Sequence, residues 1–245
     1  MDSYQPEVKK IVFPNGRVAS LLEVIPTSSI TDVVQWLDLP PNRLTISMHL
    51  GATELAPSQG QILRKLLTQS VIRFAEDNQA LVADGGTDAG VMQIIGEAYA
   101  EANATFPLLG ITVKNTVTYP GGPEPEAERW PLNEYHTHFV IVEANDFGAE
   151  SHLLVEISRS FGTPGIALVA NGGQIVRSEI ELHARIGTPV IVLEGTGRYA
   201  DELAKALPDS ELRQPFSQGT RLEIFDVNTQ SAEDLYHLLR RIWLF

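Results

Sequence analysis

Apolar and polar positions alternate along this chain in two distinct rhythms. Short, nearly unbroken apolar runs occur at Leu44–Leu50, Ala80–Ala83, Leu108–Val113, Phe139–Val142, Ile166–Ala170, Val190–Leu193 and Leu222–Val227. Runs of this length and continuity predict strands buried on both faces of a parallel sheet. Between them apolar residues recur at helical spacing. One set is Ile62, Leu63, Leu66, Leu67, Val71, Phe74 and Ala75; a second is Val91, Ile94, Ile95, Ala98 and Tyr99. Leu153, Leu154 and Ile157 mark a further helix, and Leu235, Leu238, Leu239 and Trp243 the last. Strands alternating with helices predict one α/β domain over residues 44–245, with a doubly wound, mainly parallel sheet of about seven strands and helices on both faces.

Two stretches depart from this rhythm. Residues 8–25 read as two β segments around Pro14-Asn15-Gly16, an Asn-Gly hairpin signal, so residues 1–43 are expected to form an N-terminal β-hairpin extension. Residues 116–135 are rich in Pro, Gly and Glu and carry no apolar period. A loop this long inside a domain is either functional, such as a lid, or partly disordered.

Composition narrows the function classes. The chain has 245 residues, with 18 Lys and Arg against 31 Asp and Glu, a net charge of −13. Binding to nucleic acid or to an anionic membrane needs a broad basic face, which this balance opposes. The sequence contains no cysteine, which excludes disulfides, thiolate nucleophiles and thiolate metal sites. With no apolar run long enough for a membrane span and no signal-peptide pattern, the expectation is a soluble cytoplasmic protein.

The chemistry is concentrated where the predicted strands end. Gly51-Ala52 follows the first strand, Gly85-Gly86-Thr87 the second, Glu143 to Gly148 the fourth, Gly172-Gly173 the fifth and Gly195-Thr196-Gly197-Arg198 the sixth. In a parallel sheet all lie on the carboxyl edge, where open α/β folds bind ligands. Glycine there allows close backbone approach, and the next helix offers free N–H groups to an anion; a turn needing positive φ would also select glycine. No Gly-Lys-Ser/Thr P-loop, G-x-G-x-x-G fingerprint or G-x-S-x-G elbow is present, so neither a nicotinamide cofactor nor a serine nucleophile is expected.

Lys114, Arg177 and Arg198 are the cations nearest that edge. Arg198, beside Gly-Thr-Gly at a helix start, is the phosphate candidate; the alternative is a surface residue paired with Asp201 or Glu202. His49 ends a strand and is placed to touch a ligand. His152 reads as a packing residue. His136 and His138 precede the fourth strand, near the amino edge or the long loop, and without a third ligand nearby no metal site is expected. Thr87 is a phosphate-binding hydroxyl or a helix cap, Asp88 a cap, and Glu97 a helix-surface charge.

The stretch Leu81-Val82-Ala83-Asp84-Gly85-Gly86-Thr87-Asp88-Ala89-Gly90-Val91-Met92, followed by Gly96-Glu97-Ala98, resembles the SLOG superfamily. That superfamily is named for the DNA-processing protein DprA/Smf and the LOG phosphoribohydrolases. His136-Thr137-His138-Phe139-Val140-Ile141-Val142, Gly148-Ala149-Glu150 and Gly187-Thr188-Pro189 through Gly197-Arg198 resemble more closely the SLOG domain of melastatin-type TRP channels in its stand-alone prokaryotic form. The resemblance covers residues 44–207.

The resemblance implies a Rossmann-like domain for nucleotide-derived ligands. ADP-ribose is bound by some of the channel domains, and LOG enzymes cleave nucleoside monophosphates with a P-G-G-x-G-T-x-x-E motif. Set against Ala144 to His152, that motif retains Gly148; Ala149 replaces the hydroxyl residue, and His152 stands where the glutamate would be. Binding or sensing of an ADP-ribose-like nucleotide is therefore the first expectation, without a cofactor. Its expected site comprises Gly51, Ala52, Gly85, Gly86, Thr87, Glu143, Asn145, Gly148, Glu150, Gly172, Gly195, Thr196, Gly197 and Arg198. The alternative is a nucleotide N-glycosidase with a rearranged carboxylate, Glu150 or Glu97, as catalyst. By analogy with LOG enzymes a homodimer is expected, and DNA binding of the DprA type conflicts with the charge.

Overall fold

The structure, a computed structural model, describes residues 6–122, 129–162 and 165–244. The chain opens with a hairpin of β1 (Val8–Val12) and β2 (Val18–Val24), turned at Asn15-Gly16, and a short helix α1 (Ile30–Trp36) follows. Then come β3 (Leu44–Leu50), α2 (Pro57–Leu67) and α3 (Arg73–Asn78), the two helices joined by a π turn at Thr68–Ile72. Next are β4 (Ala80–Asp84), α4 (Gly90–Glu101) and β5 (Leu108–Val113). The long segment contributes two paired residues each from β6 (Val117–Thr118) and β7 (Trp130–Pro131), while residues 123–128 of the expected lid lie outside the described residues. The chain continues through β8 (His138–Val142), α5 (Ser151–Glu156), β9 (Gly165–Ala170) and α6 (Gln174–Ile186). It ends with β10 (Val190–Glu194), α7 (Arg198–Lys205), β11 (Leu222–Asp226) and α8 (Ala232–Trp243).

The main sheet has nine strands in the order β1-β2-β8-β5-β4-β3-β9-β10-β11, and every neighbouring pair except β1–β2 is parallel. The fold is thus the doubly wound α/β architecture that the alternating pattern predicts. The hairpin is continuous with the sheet, because β2 pairs in parallel with β8. Leu21 and Leu22 are fully buried there, and at about 2 kcal/mol for each buried aliphatic side chain the hairpin gains more by docking than by standing apart.

Strand β3 lies near the middle of the sheet, buried along its whole length, and its two faces differ. Leu44, Ile46, Met48 and Leu50 join one apolar core with residues of α2, α4 and α8. The alternate residues Thr45, Ser47 and His49 point to the other face and are just as buried. On that side α6 packs its stripe Val176, Glu179, Ile180, His183 and Ala184, so two polar residues of a strand meet two polar residues of a helix in the interior.

Candidate functional site

The winding of the sheet determines where loops part. From β3 the chain steps to β4, β5 and β8 on one side, then crosses to β9, β10 and β11 on the other. Loops leaving β3 and β9 therefore run apart at the carboxyl edge, the usual ligand crevice of open α/β sheets. A cavity of 390 Å³ occupies this point. Leu50, Gly51 and Ala52 line it from β3, Gly85 and Thr87 from the turn after β4, and Gly173, Gln174, Ile175 and Val176 from the start of α6. Phe147 and Glu150 reach it from the loop after β8, Arg198 from α7 and Trp130 from the long segment. Concavities of 450 Å³ beside Tyr119 and 520 Å³ beside Trp243 are larger, but neither combines a cation with carboxylates and glycine turns.

Close packing of backbones shapes one wall. The Gly51 N–H donates to the Ala170 carbonyl at 3.1 Å, and a Cβ at Gly51 would overlap the Asn171 side chain and the Gly172 nitrogen. Across from it α6 begins without any side-chain cap at Gly173, leaving first-turn N–H groups at the cavity with the positive end of the helix dipole. Arg198 is held over the same wall. Its Nη1 donates to Thr53 Oγ1 at 2.7 Å, and among the described residues no carboxylate pairs with it. The alternative pairing with Asp201 is taken up elsewhere, because Asp201 Oδ1 accepts from Gly195 N–H at 2.8 Å and Gly197 N–H at 3.0 Å.

The Arg198 backbone has φ of 50°, a left-handed conformation costing roughly 1 kcal/mol for a side-chain-bearing residue. Bonds from Tyr199 N–H to Gly172 O and from Ala200 N–H to Asn171 O hold it there.

Two carboxylates share the cavity. Glu150 stands at the start of α5 and turns back to accept the Gly148 N–H at 2.7 Å. Burial pushes its carboxyl up to about 7, with the Gly148 bond opposing and the nearby Glu179 reinforcing the rise. Because α5 begins at Ser151, Glu150 faces the cavity while His152 points away, its Nδ1 beside the Ala149 carbonyl at 3.1 Å. Glu179 comes from the buried stripe of α6; Ser151 Oγ donates to its Oε1 at 2.6 Å, and His49 Nδ1 lies 2.8 Å from its Oε2.

Of the residues expected at the site, Gly51, Ala52, Gly85, Thr87, Glu150 and Arg198 line the cavity. The others take different places. Gly86 donates to Asp84 Oδ1 at 2.6 Å and packs against Gly110 and Phe139. Glu143 faces Lys114 at 3.5 Å, and Asn145 accepts from Asn115 at 2.7 Å, both beyond β8. Gly148 presents its N–H to Glu150, and Gly172 packs against Val176. Gly195 and Gly197 give their N–H groups to Asp201, while Thr196 is buried against Asn171. His49 lies beneath Glu179 rather than at the cavity. His136 precedes β8 yet reaches Asp84 at 3.0 Å, because the strands are staggered so that Asp84 is level with Gly110 and Phe139. Asp88 accepts from Asn133, and no side chain caps α4. Glu97 pairs with Arg64 on the surface.

Sequence reasoning missed Glu179, Trp130, Phe147 and the first turn of α6. For Glu179 a signal existed: a carboxylate on the i, i+3, i+4, i+7 stripe that otherwise faces the core. A second signal was the motif itself. Asn171-Gly172-Gly173 through Glu179 keeps the two leading glycines and the glutamate of P-G-G-x-G-T-x-x-E at their spacing, with Ile175 and Val176 replacing the third glycine and the threonine. The run after β9 is thus the better counterpart than Ala144 to His152, whose final residue points away from the cavity.

A doubly wound sheet with a cavity at its switch point and this arrangement of glycine turns defines a Rossmann-like domain of the SLOG class. Residues 43–236 match the family described as SLOG in TRPM, prokaryote, and the chain belongs to that family. Transient receptor potential cation channel subfamily M member 7 of Rattus norvegicus is 29% identical over 206 residues, covering 69% of this chain and 11% of the channel. Member 2 of Mus musculus is 24% identical over 252 residues, covering 86% of this chain and 16% of the channel. Member 6 of Homo sapiens is 26% identical over 217 residues, with 74% and 10% covered. The chain therefore spans between 10% and 16% of the length of these relatives. Among its described residues no helix is long and apolar enough to cross a membrane.

Proposed function

We propose that the switch-point cavity binds a nucleotide-derived ligand of the ADP-ribose type and that the domain acts as a sensor for it. The observation that carries this reading is the meeting of Arg198 with the uncapped N-terminus of α6 on one wall, a combination suited to phosphate. Trp130, Phe147 and Ile175 are exposed although large and apolar, and all three line the cavity, where the two aromatic rings offer flat surface to a base and Ile175 adds apolar contact. Glu150 and Glu179 provide acceptors for sugar hydroxyls. With two carboxylates against one guanidinium, the cavity favours sugar recognition over capture of a long polyphosphate. Thermal-shift titration with ADP-ribose, cyclic ADP-ribose, NAD and AMP tests the reading: at least one should raise the melting temperature, and Arg198→Ala should remove the shift. No shift with any of them defeats it.

The two carboxylates also favour a second reading, hydrolysis of a nucleotide N-glycosidic bond. Glu179 stands at the spacing of the LOG glutamate, where a carboxylate would stabilise an oxocarbenium-like state, and burial pushes the Glu150 carboxyl up to about 7 in the same cavity, so that it exchanges a proton around neutral pH. Incubation with AMP, NAD or ADP-ribose and chromatography should then release free base, and Glu179→Gln and Glu150→Gln should each abolish it.

A further inference from the structure

Beneath the cavity floor lies a buried polar cluster, Ser47, His49 and His183, that touches Glu179 and has no part in the ligand reading so far. His49 Nδ1 is 2.8 Å from Glu179 Oε2; on the other side of the ring, His49 Nε2 is 2.7 Å from Ser47 Oγ and 2.7 Å from His183 Nε2. Ser47, His49 and His183 are fully buried. These contacts join β3 to α6, residues more than a hundred positions apart in sequence, and none of the three lines the cavity.

The partners of the two rings fix where their hydrogens lie. A carboxylate accepts, so His49 Nδ1 carries a hydrogen toward Glu179. The two Nε2 atoms face each other and only one can donate. His183 Nδ1 has no partner among the described residues, and a buried bare lone pair is less costly there than a buried unpaired N–H. His183 therefore carries its hydrogen on Nε2 and donates toward His49 or Ser47, leaving His49 Nε2 as an acceptor. Burial and the neighbouring His49 both hold the His183 ring well below its ordinary pKa, in keeping with a single hydrogen on that ring.

We propose that His49 is a positioning residue: locked in one tautomer by Ser47 and His183, it fixes the Glu179 carboxylate as an acceptor for a pair of hydroxyl donors on the ligand. The proposal rests on the reading of the cavity as a nucleotide site and adds what selects the sugar. Ser151 occupies one lone pair of Oε1 and His49 one of Oε2, so each oxygen keeps a lone pair in a fixed direction. Two such acceptors match a vicinal diol and gain nothing from a dideoxy sugar.

Two measurements on the whole chain test this. Long-range proton–nitrogen NMR of histidine-labelled, ligand-free protein, with His49→Asn to assign the signal, should show His49 protonated at Nδ1 and not at Nε2. Calorimetric titration with AMP and 2′,3′-dideoxy-AMP should show a preference for the diol of about tenfold or more in the native protein. That preference should vanish in His49→Leu, which has no donor, and persist within about threefold in His49→Asn, whose amide can replace Nδ1–H. Should His49→Leu fail to fold, Ser151→Ala removes the other donor near the surface and should lower the preference partway. A proton on Nε2, or loss of preference in His49→Asn equal to that in His49→Leu, overturns the positioning role. So does a Ser151→Ala preference equal to the native one. Native protein that binds none of the thermal-shift nucleotides defeats the nucleotide reading and the ligand half of the proposal together, while the NMR result still decides the His49 tautomer.

Discussion

The glycine turns after β9 and β10 look alike in sequence and behave differently in the fold. Gly172-Gly173 leads into α6, whose N-terminus has no side-chain cap and opens on the cavity. Gly195-Thr196-Gly197 leads into α7, and there Asp201, in the first turn of the helix, accepts both glycine N–H groups. An internal carboxylate thus occupies the place where an anion would bind. A glycine-rich strand end becomes a ligand site only when the protein leaves its donors unspent.

Breaking each turn should have a different outcome. The largest effect is expected on the open side, at Glu150. Burial pushes its pKa up to about 7 in the folded protein, above the ordinary carboxyl value of 4.5, so the fold favours the protonated acid. The Glu150 contribution to stability should be full below about pH 4.5 and fall by about 3 kcal/mol as pH rises to 7 and beyond. Glu150→Gln should flatten that slope in denaturant melts between pH 5 and 8 and be the more stable protein at pH 8. An unchanged slope would mean that the carboxyl is better solvated than its burial indicates.

Gly51→Val comes next. Its side chain would collide with Asn171 and Gly172, pushing apart the loops that form the open wall, at a cost of about 2–3 kcal/mol or roughly 4–10 °C in melting temperature. Asp201→Ala removes the acceptor from two glycine N–H groups of the closed turn and should cost about 2 kcal/mol. Its carboxyl is held below the usual range: burial works against this, but the bonds from Gly197 and Gly195 and the partner Lys205 outweigh it. That stabilisation is therefore present above the unfolded carboxyl pKa and lost as pH falls through the folded one, and Asp201→Ala should be missing it in acid titrations. Ligand binding by this variant should survive.

The smallest change in stability belongs to Arg198→Ala, within about 0.5 kcal/mol of native, because its exposed guanidinium bonds only to Thr53 within the described structure. Calorimetry should nevertheless find its nucleotide binding lost. Together these two variants separate the turns: one changes stability without binding, the other binding without stability.

Much of the fold was legible because its information is local. Runs such as Val190–Leu193 and stripes such as Val91, Ile94, Ile95 and Ala98 report burial through neighbours a few residues away. The Asp84-Gly85-Gly86-Thr87 turn, and with it the family, was readable in the same way. At the site, Gly51, Gly85, Thr87 and Arg198 were singled out because each follows a strand, and all four line the cavity. Glu150 was also singled out, although its facing depended on where α5 begins.

The sequence by itself therefore determined the alternation of strand and helix, the parallel sheet, the glycine-bearing carboxyl edge and a charge that leaves few cations for an anionic ligand. Only the tertiary structure decided that β3 lies between β4 and β9, so that the crevice opens beside Gly51. It alone decided that Asp201 closes one turn, and that His49 and His183 meet Glu179 inside the molecule. The physical reason is that periodicity is a property of neighbours along the chain. Whether a donor is spent or a carboxylate buried depends on groups brought together from distant parts of it.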